Sequence, residues 1–430
     1  MKRRTFQLAL LAAASPMVQA RRKPPPSAID AVARIQALRI TTGPLSDGYQ
    51  IAPDGRLNWY FTNLGLIAIV QFLNAGDLDL YIRRYLDLYL SRLEANASIQ
   101  DVLFNDASLE SITLAPSDSD NSYASTFISL AARYLRASGN WSWWDTHQNT
   151  LRTVIQANVV TQLKTNHLSR VFQPPRTSAS SEYGFTMNNC EDYRALRDFS
   201  ALLSLRGLNT EAANYLDLAH LMGQAMNTLL WDNLRSGYRV SDQDLHADTR
   251  SFYPGSCCQV FPQAFDLVES SSHDTAAYNF LNTWSPRWPD EFYDPFPWCI
   301  LGYVAARRGD ITRAQTQMAA TETRYRSDPG LVTINELGWY RRTRSLLQGL
   351  PVQAQAATLR RSKAETTATR IRDGAAETVP YFMVTNLART LNELKERNIW
   401  IIGTSDDAPK TLYQVDLKGP TALVLGAEGD

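Results

Sequence analysis

Three short segments, SGNWS (138–142), RGLNT (206–210) and RGDIT (308–312), recur along the chain with one grammar. Each puts a glycine after one run of helical apolar spacing and a capping Asn or Thr before the next. So short a turn forces two helices to lie antiparallel. The sequence between the turns supplies the helices. Asn58–Gly76 is apolar on nearly every face and reads as a buried helix. Asp77–Asn96 follows with Leu78, Tyr81, Ile82, Tyr85, Leu88 and Tyr89 at helical spacing. Asp118–Ser138 pairs with Trp141–Leu163, Cys190–Arg206 with Thr210–Leu230, and Pro289–Arg308 with Ile311–Tyr325, while Glu336–Gln348 reads as a closing helix. Hairpins recurring roughly every 45–60 residues suggest a closed ring or a solenoid. The loops between them are too irregular for a stacked array. The expected fold is mainly α, an (α/α) toroid of helical hairpins over residues 58–350.

Composition narrows the function. The chain has 430 residues, 44% of them hydrophobic, with 43 basic and 43 acidic side chains. A net charge of zero excludes a chain-wide electrostatic grip on nucleic acid or anionic lipid. Cys190, Cys257, Cys258 and Cys299 lack the paired spacing of a zinc site and read as buried thiols. The histidines are scattered, with His246 and His273 expected at the surface. No metal site, nucleophile triad or phosphate loop emerges.

The first twenty residues, MKRRTFQLALLAAASPMVQA, have a basic start, an apolar core and a small-residue Val18-x-Ala20 site. That is a secretory signal peptide, too short for a stable anchor, and it implies export to the periplasm or beyond. Arg3-Arg4-x-Phe6 also fits a twin-arginine signal. Residues 21–57 read as a linker or lead-in opening with RRKPPP. No later stretch approaches the length of a membrane span, so no membrane partner is expected.

At about Pro351 the character changes. A basic, polar stretch gives way to VPYFMV (379–384), a short helix with Leu387, Leu391 and Leu394 on one face, then NIWIIGT (398–404) and PTALVLG (420–426). Continuous apolar strands around a helix mark a parallel sheet covered on both faces. Five blocks in order, GAAETVP (374–380), VTNLART (384–390), NIWIIGT, TLYQ (411–414) and ALVLGAEG (422–429), resemble the SpoU (TrmH-type) RNA 2′-O-ribose methyltransferases. The resemblance covers about residues 357–430. It implies part of an α/β knot of the SPOUT type, S-adenosylmethionine as cofactor and RNA as partner. Gly426 would contact the cofactor, with Gly403 and Thr404 lining the same cleft. The family's first motif, Asn-x-Gly with an Arg four residues on, belongs some fifty residues upstream, where this chain carries helical-ring sequence. Asn63-Leu64-Gly65 imitates it, but Ile69 stands in place of the Arg. The last motif would lie beyond Asp430. The expectation is therefore an incomplete, inactive fragment that does not bind the cofactor, joined at residues 351–357 to an unrelated exported domain.

The first domain resembles the (α/α)6-barrel "six-hairpin" glycosidases through PSDSDNSYASTFISLAARYLRASGNWSWW (116–144), FTMNNCEDYRALRDFSALLSLRGL (185–208) and INELGWYRRTRSLL (334–347). The likeness is at superfamily level and carries over no catalytic residue. It implies a carbohydrate substrate and no cofactor. Glycoside cleavage needs two carboxyl groups flanking the scissile bond and aromatic faces for sugar rings. Acids stand at helix starts: Asp118 and Asp120 before Tyr123, Glu191 and Asp192 after Tyr183 and Asn188, Glu336 before Trp339 and Tyr340. Asp290, Glu291 and Asp294 sit among Trp288, Phe292, Tyr293 and Trp298. Each acid alone reads equally as a helix cap. The recurring set selects Asp120, Glu191 and Glu336 as catalytic candidates, with Tyr123, Tyr183, Trp298 and Trp339 as substrate-binding aromatics. A barrel that only binds glycan and an RNA methyltransferase known by its tail are the alternatives.

Overall fold

The computed structural model describes residues 28–174, 176, 181–291, 293–350, 391, 394–403 and 419–424. The expected signal peptide, Phe292, Thr404, Gly426 and most of the five tail blocks lie outside the described residues. The chain divides into two compact units, Met1–Leu359 and Arg360–Asp430.

The helices of the first unit are, in order, α1 (Ala31–Ala37), α2 (Trp59–Ile67), α3 (Arg84–Ser91), α4 (Asp120–Ser138), α5 (Trp141–Ile155), α6 (Thr186–Leu205), α7 (Asn209–Ala225), α8 (Phe261–Ala264), α9 (Asp274–Trp284), α10 (Cys299–Arg307), α11 (Ile311–Ser327) and α12 (Ile334–Leu347). Even-numbered helices pack side by side in the order α2–α4–α6–α8–α10–α12, and α12 returns to α2. The odd-numbered helices form an outer layer: α5 lies on α4, α7 on α6, α11 on α10 and α1 on α12, while α9 covers the turn Cys257–Val260 that leads into α8. α3 docks through Tyr85 and Tyr89 on Trp59 and Phe127. The result is the expected toroid of helical hairpins.

Burial explains which helices go inside. α4 is buried without a break from Asp120 to Leu135, whereas α7 buries only Ala212, Tyr215, Ala219, Met222 and their neighbours on one stripe. All three turn glycines take left-handed backbone, at φ 64, 74 and 78. The caps differ from expectation. Asn140 and Asp310 accept from the backbone N–H three residues on, but α7 starts at Asn209 with no side-chain cap.

Several helices depart from the sequence reading. α2 ends at Ile67 rather than running to Gly76, and α6 begins at Thr186, ahead of the expected Cys190. The described residues of 289–298 are not helical, and α10 begins only at Cys299. Pro295 and Pro297 remove donors and push their predecessors out of helical geometry. The fourth inner position is filled by α8, four residues long and containing Pro262, which carries too little periodic pattern to be seen in advance. Residues 28–57 do more than lead in. Ile29, Ile35, Leu45, Tyr49 and Leu57 are core residues, and α1 covers α12. The four cysteines are free and buried.

In the second unit, β5 (Trp400–Gly403) and β6 (Thr421–Val424) pair in parallel, with Trp400 opposite Thr421 and Gly403 opposite Val424. That is the parallel arrangement their apolar runs imply. In the first unit β1 (Asp101–Phe104) and β2 (Ile112–Ala115) form an antiparallel hairpin, as do the two-residue strands β3 (Trp231–Asp232) and β4 (Gly237–Tyr238).

Ring closure rests on a close crossing of α2 and α12. A Cβ at Gly65 would stand 2.6 Å from Ile334 Cγ1 and 2.7 Å from its carbonyl oxygen, and one at Gly338 would stand 3.0 Å from Gly65 Cα. In an ordinary helix Gly→Ala stabilises by about 1 kcal/mol. Here Gly65→Ala is expected to destabilise by about 1–3 kcal/mol, because the added methyl forces the two backbones apart. Urea unfolding checks this, and a variant as stable as wild type would show that the seam tolerates separation.

Candidate active site at the helix N-termini

The inner helices begin at one end of the ring, and side chains of their first two turns touch. Tyr60 of α2 stacks on Tyr123 of α4 with ring centroids 5.9 Å apart. Its hydroxyl donates to Glu191 Oε1 of α6 at 2.5 Å. Asn121 of α4 donates to Asp192 of α6 at 2.8 Å. Across the ring, the Cys299 backbone N–H of α10 donates to Glu336 Oε2 of α12 at 2.6 Å. α6 and α12 are third and sixth around the ring, so Glu191 and Glu336 sit on opposite walls of the same end.

Burial dominates the electrostatics. Glu191 is 3% exposed, and burial pushes its carboxyl up to about 8 against the pull of Ser122 and Tyr60. Burial lifts Glu336 to about 7, and the charge of Asp294 adds to the rise. Both acids therefore hold a proton far above the usual carboxylate range, the condition that general acid–base work at neutral pH demands.

The other acids divide by their partners. Asp120 is tied to Arg176 Nη1 at 2.9 Å and to the Gln173 backbone N–H at 2.8 Å. It fastens the loop after Val171 to the start of α4, although burial holds its carboxyl above its usual value. Asp192 accepts from Ser125 at 2.6 Å, from Asn121 and from Ser169, and burial lifts it to about 6. Asp118 is exposed beside α4. Asp290 and Glu291 are exposed, and Glu291 pairs with Arg287.

The aromatic candidates also separate. Trp339 is 3% exposed and packed among Phe265, Tyr303 and Arg342. Tyr123 is 2% exposed and donates to Asp101. Neither presents a face to a ligand. Trp288 is core as well. Tyr183 is half-buried against Phe185. Trp298 is half-buried at the start of α10 with φ 51, a strained value for a bulky residue. Its indole Nε1 is buried and finds no hydrogen-bond partner among the described residues.

Three residues at this end escaped the sequence reading. Tyr60 looked like one more apolar position of a buried helix. Asp101 lies on β1, where it accepts from Asn58 at 2.7 Å and from Tyr123 at 2.9 Å, and burial lifts it to about 6. Tyr253 is 53% exposed, packs its ring 5.0 Å from Trp298, and feels the charges of Glu191, Asp118 and Asp294. Only the Pro-Gly pair after Tyr253 hinted at a shaped loop. His246 and His273 are half-buried rather than on the surface, His246 against Asp232 and His273 stacked on Trp231 at 3.9 Å. Among the described residues no group of His, Cys, Asp or Glu could hold a metal ion, and no helix is long and apolar enough to cross a membrane.

In the second unit Gly403 ends β5, and ligands of parallel sheets collect at such strand ends. The neighbouring candidates Thr404 and Gly426 lie outside the described residues.

Comparison with known proteins separates the same two parts. Residues 352–430 match the SpoU rRNA Methylase family. The 23S rRNA (guanosine-2′-O-)-methyltransferase RlmB of Ralstonia nicotianae is 62% identical over 65 residues, 15% of this chain and 26% of that protein. Its counterpart from Pseudomonas aeruginosa is 59% identical over 63 residues, 15% and 25% respectively. The chain thus spans about a quarter of the length of these relatives. Among solved structures, a rhamnosidase from Klebsiella oxytoca with rhamnose bound superposes with TM-score 0.52 at 14% identity, covering 74% of this chain and 63% of that one. An alpha-L-rhamnosidase from Dictyoglumus thermophilum gives TM-score 0.50 at 14% identity, covering 74% and 37%. The chain therefore joins a helical barrel that shares the fold of these two rhamnosidases to a segment similar to SpoU methylases.

The raised acids make a prediction about pH. Glu191 binds its proton more tightly folded, near 8, than at the ordinary value of 4.5. The folded state holds more protons between these limits, so stability is full below about 4.5 and is lost as pH rises through about 8. Glu336 acts in the same direction. Thermal melting is expected to fall steadily from about pH 5 to pH 8, and Glu191→Gln to flatten the upper part of that slope. A melting temperature that climbs over this range would mean that Glu191 is ionised in the fold.

Proposed function

We propose that the first unit is an exported carbohydrate-active enzyme that cleaves a glycosidic bond. The observation that carries this reading is the pair Glu191 and Glu336, two buried carboxyls in the N-terminal turns of opposite inner helices, Glu336 in the first turn of α12 and Glu191 in the second turn of α6. Glu191, with the higher affinity for its proton, donates it to the leaving oxygen. Glu336, which ionises more readily and is held by the Cys299 N–H, accepts a proton from the attacking water. Opposite walls suit the wider carboxyl separation of an inverting reaction. Trp298 and Tyr253 supply the stacking surface, with Tyr183 at the margin. Asp120, being committed to Arg176 and Gln173, holds the loop rather than the substrate. A rhamnoside is the first substrate to try, given the rhamnose bound in the Klebsiella oxytoca protein. The basic, apolar leader of residues 1–20 supports export.

The enzyme reading predicts that Glu191→Gln and Glu336→Gln each lower turnover of an aryl glycoside by at least about 100-fold. Sugar binding, followed by tryptophan fluorescence, is expected to persist. Binding without turnover in the wild type as well would leave a glycan-binding barrel.

The second unit we read as a methyltransferase relic that binds no S-adenosylmethionine. The argument is internal to the chain: the position for the family's first motif is occupied by barrel sequence, so the Arg that such a site requires has no counterpart. Titration calorimetry with S-adenosylmethionine on the full chain is expected to give no heat of binding. A dissociation constant in the micromolar range would overturn this and favour RNA methylation as the tail's function.

A further inference from the structure

Below Glu191, on the axis of the ring, lies a small cavity whose wall includes Arg133, Glu191, Arg194, Asp266, Phe265 and Arg342. Its volume of about 20 Å³ is enough for a water molecule or a small ion. The acids around it are already shared. Asp198 pairs with Arg194 at 2.8 Å and with Arg133 at 3.7 Å. Asp266 pairs with Arg194 and with Arg307, both at 2.6 Å. Arginine neighbours hold both carboxyls below the usual range despite burial, so both are ionised.

Arg342 has no such partner. It is 5% exposed, and its guanidinium lies over Trp339 at 4.2 Å and over Tyr303 at 4.5 Å. Nη2 donates to the Tyr303 hydroxyl at 3.3 Å, and among the described residues Nε finds no acceptor. No described carboxylate stands within ion-pair distance of it. Four guanidinium groups thus share the two ionised carboxylates Asp198 and Asp266, with the Glu191 carboxyl, its proton held by burial, in the same wall. Arg342 acts on the Asp266 carboxylate only from beyond contact; a buried cation with no ion-pair partner in contact is costly, and stacking on rings offsets only part of that cost.

We propose that this cavity binds a single monovalent anion of halide size, with Arg342 as its principal ligand. Glu191 forms part of the cavity wall, but the ion's principal ligand, Arg342, is no part of the proposed catalytic pair, and the test needs no turnover. Failure here leaves the enzyme reading untouched.

Bromide reports the site directly. Crystals of the full chain grown in bromide are expected to show an anomalous scattering peak inside the cavity, in contact with Arg342. In solution, raising chloride from zero to about 100 mM against gluconate is expected to lift the melting temperature by about 5 °C, because the ion binds only the folded state. Arg342→Met keeps the packing over Trp339 and removes the charge, so the peak and the chloride response both vanish. Bromide found only on the surface, or an equal chloride response in the variant, overturns the proposal. Should Arg342→Met fail to fold, the bromide map of the wild type decides alone.

Discussion

Everything in the barrel depends on α2 and α12 approaching without side chains between them. Gly65 and Gly338 let the two backbones meet, and the Ile334 backbone N–H reaches the Ile51 carbonyl at 2.7 Å beside them. Five of the six inner contacts join helices that follow one another around the ring. The sixth joins the first to the last, and a methyl group is enough to oppose it. Without that contact the same hairpins would form an open stack, and the N-terminal turns of α6 and α12 would not face each other.

Facing one another, those turns create an unusual medium for acids. The helix starts bring unsatisfied N–H groups and a partial positive charge, which favour ionised carboxylates. Burial works against them and wins at Glu191, Glu336 and Asp192, as it does at Asp101 on the neighbouring strand β1. Deeper in the ring, arginines reverse the balance at Asp198 and Asp266. A single tube thus holds protonated acids at its mouth and ionised acids below.

How much of this was legible in the sequence follows from the range over which each feature is determined. Helix existence and hairpin turns are local, and the 3.6-residue period with glycine after it reveals them. The ring was readable as well, through the irregular loops. Glu191 and Glu336 stood out because acids opening apolar helices are rare enough to notice. Tyr123 and Trp339 misled, because an aromatic one turn into an inner helix looks the same whether it turns to the cleft or to the core. Tyr60, Asp101 and Tyr253 were hidden for the converse reason: each reaches the mouth by way of a partner distant in sequence. α8 was invisible because a four-residue helix has no period to detect. The change at Pro351 was plain, since apolar strands following a helical array need no long-range information.

Closure between the first and last helices has a consequence for the order of events during synthesis. Arg344 donates to the carbonyl of Ile29, 315 residues away along the chain. No ribosome can offer both partners until nearly the whole first unit has emerged. Until then the apolar inner face of α2 has only α3 and α4 beside it. The barrel is therefore a post-translational object for most of the time its chain is being made. It lies open to chaperones that hold it until α12 arrives.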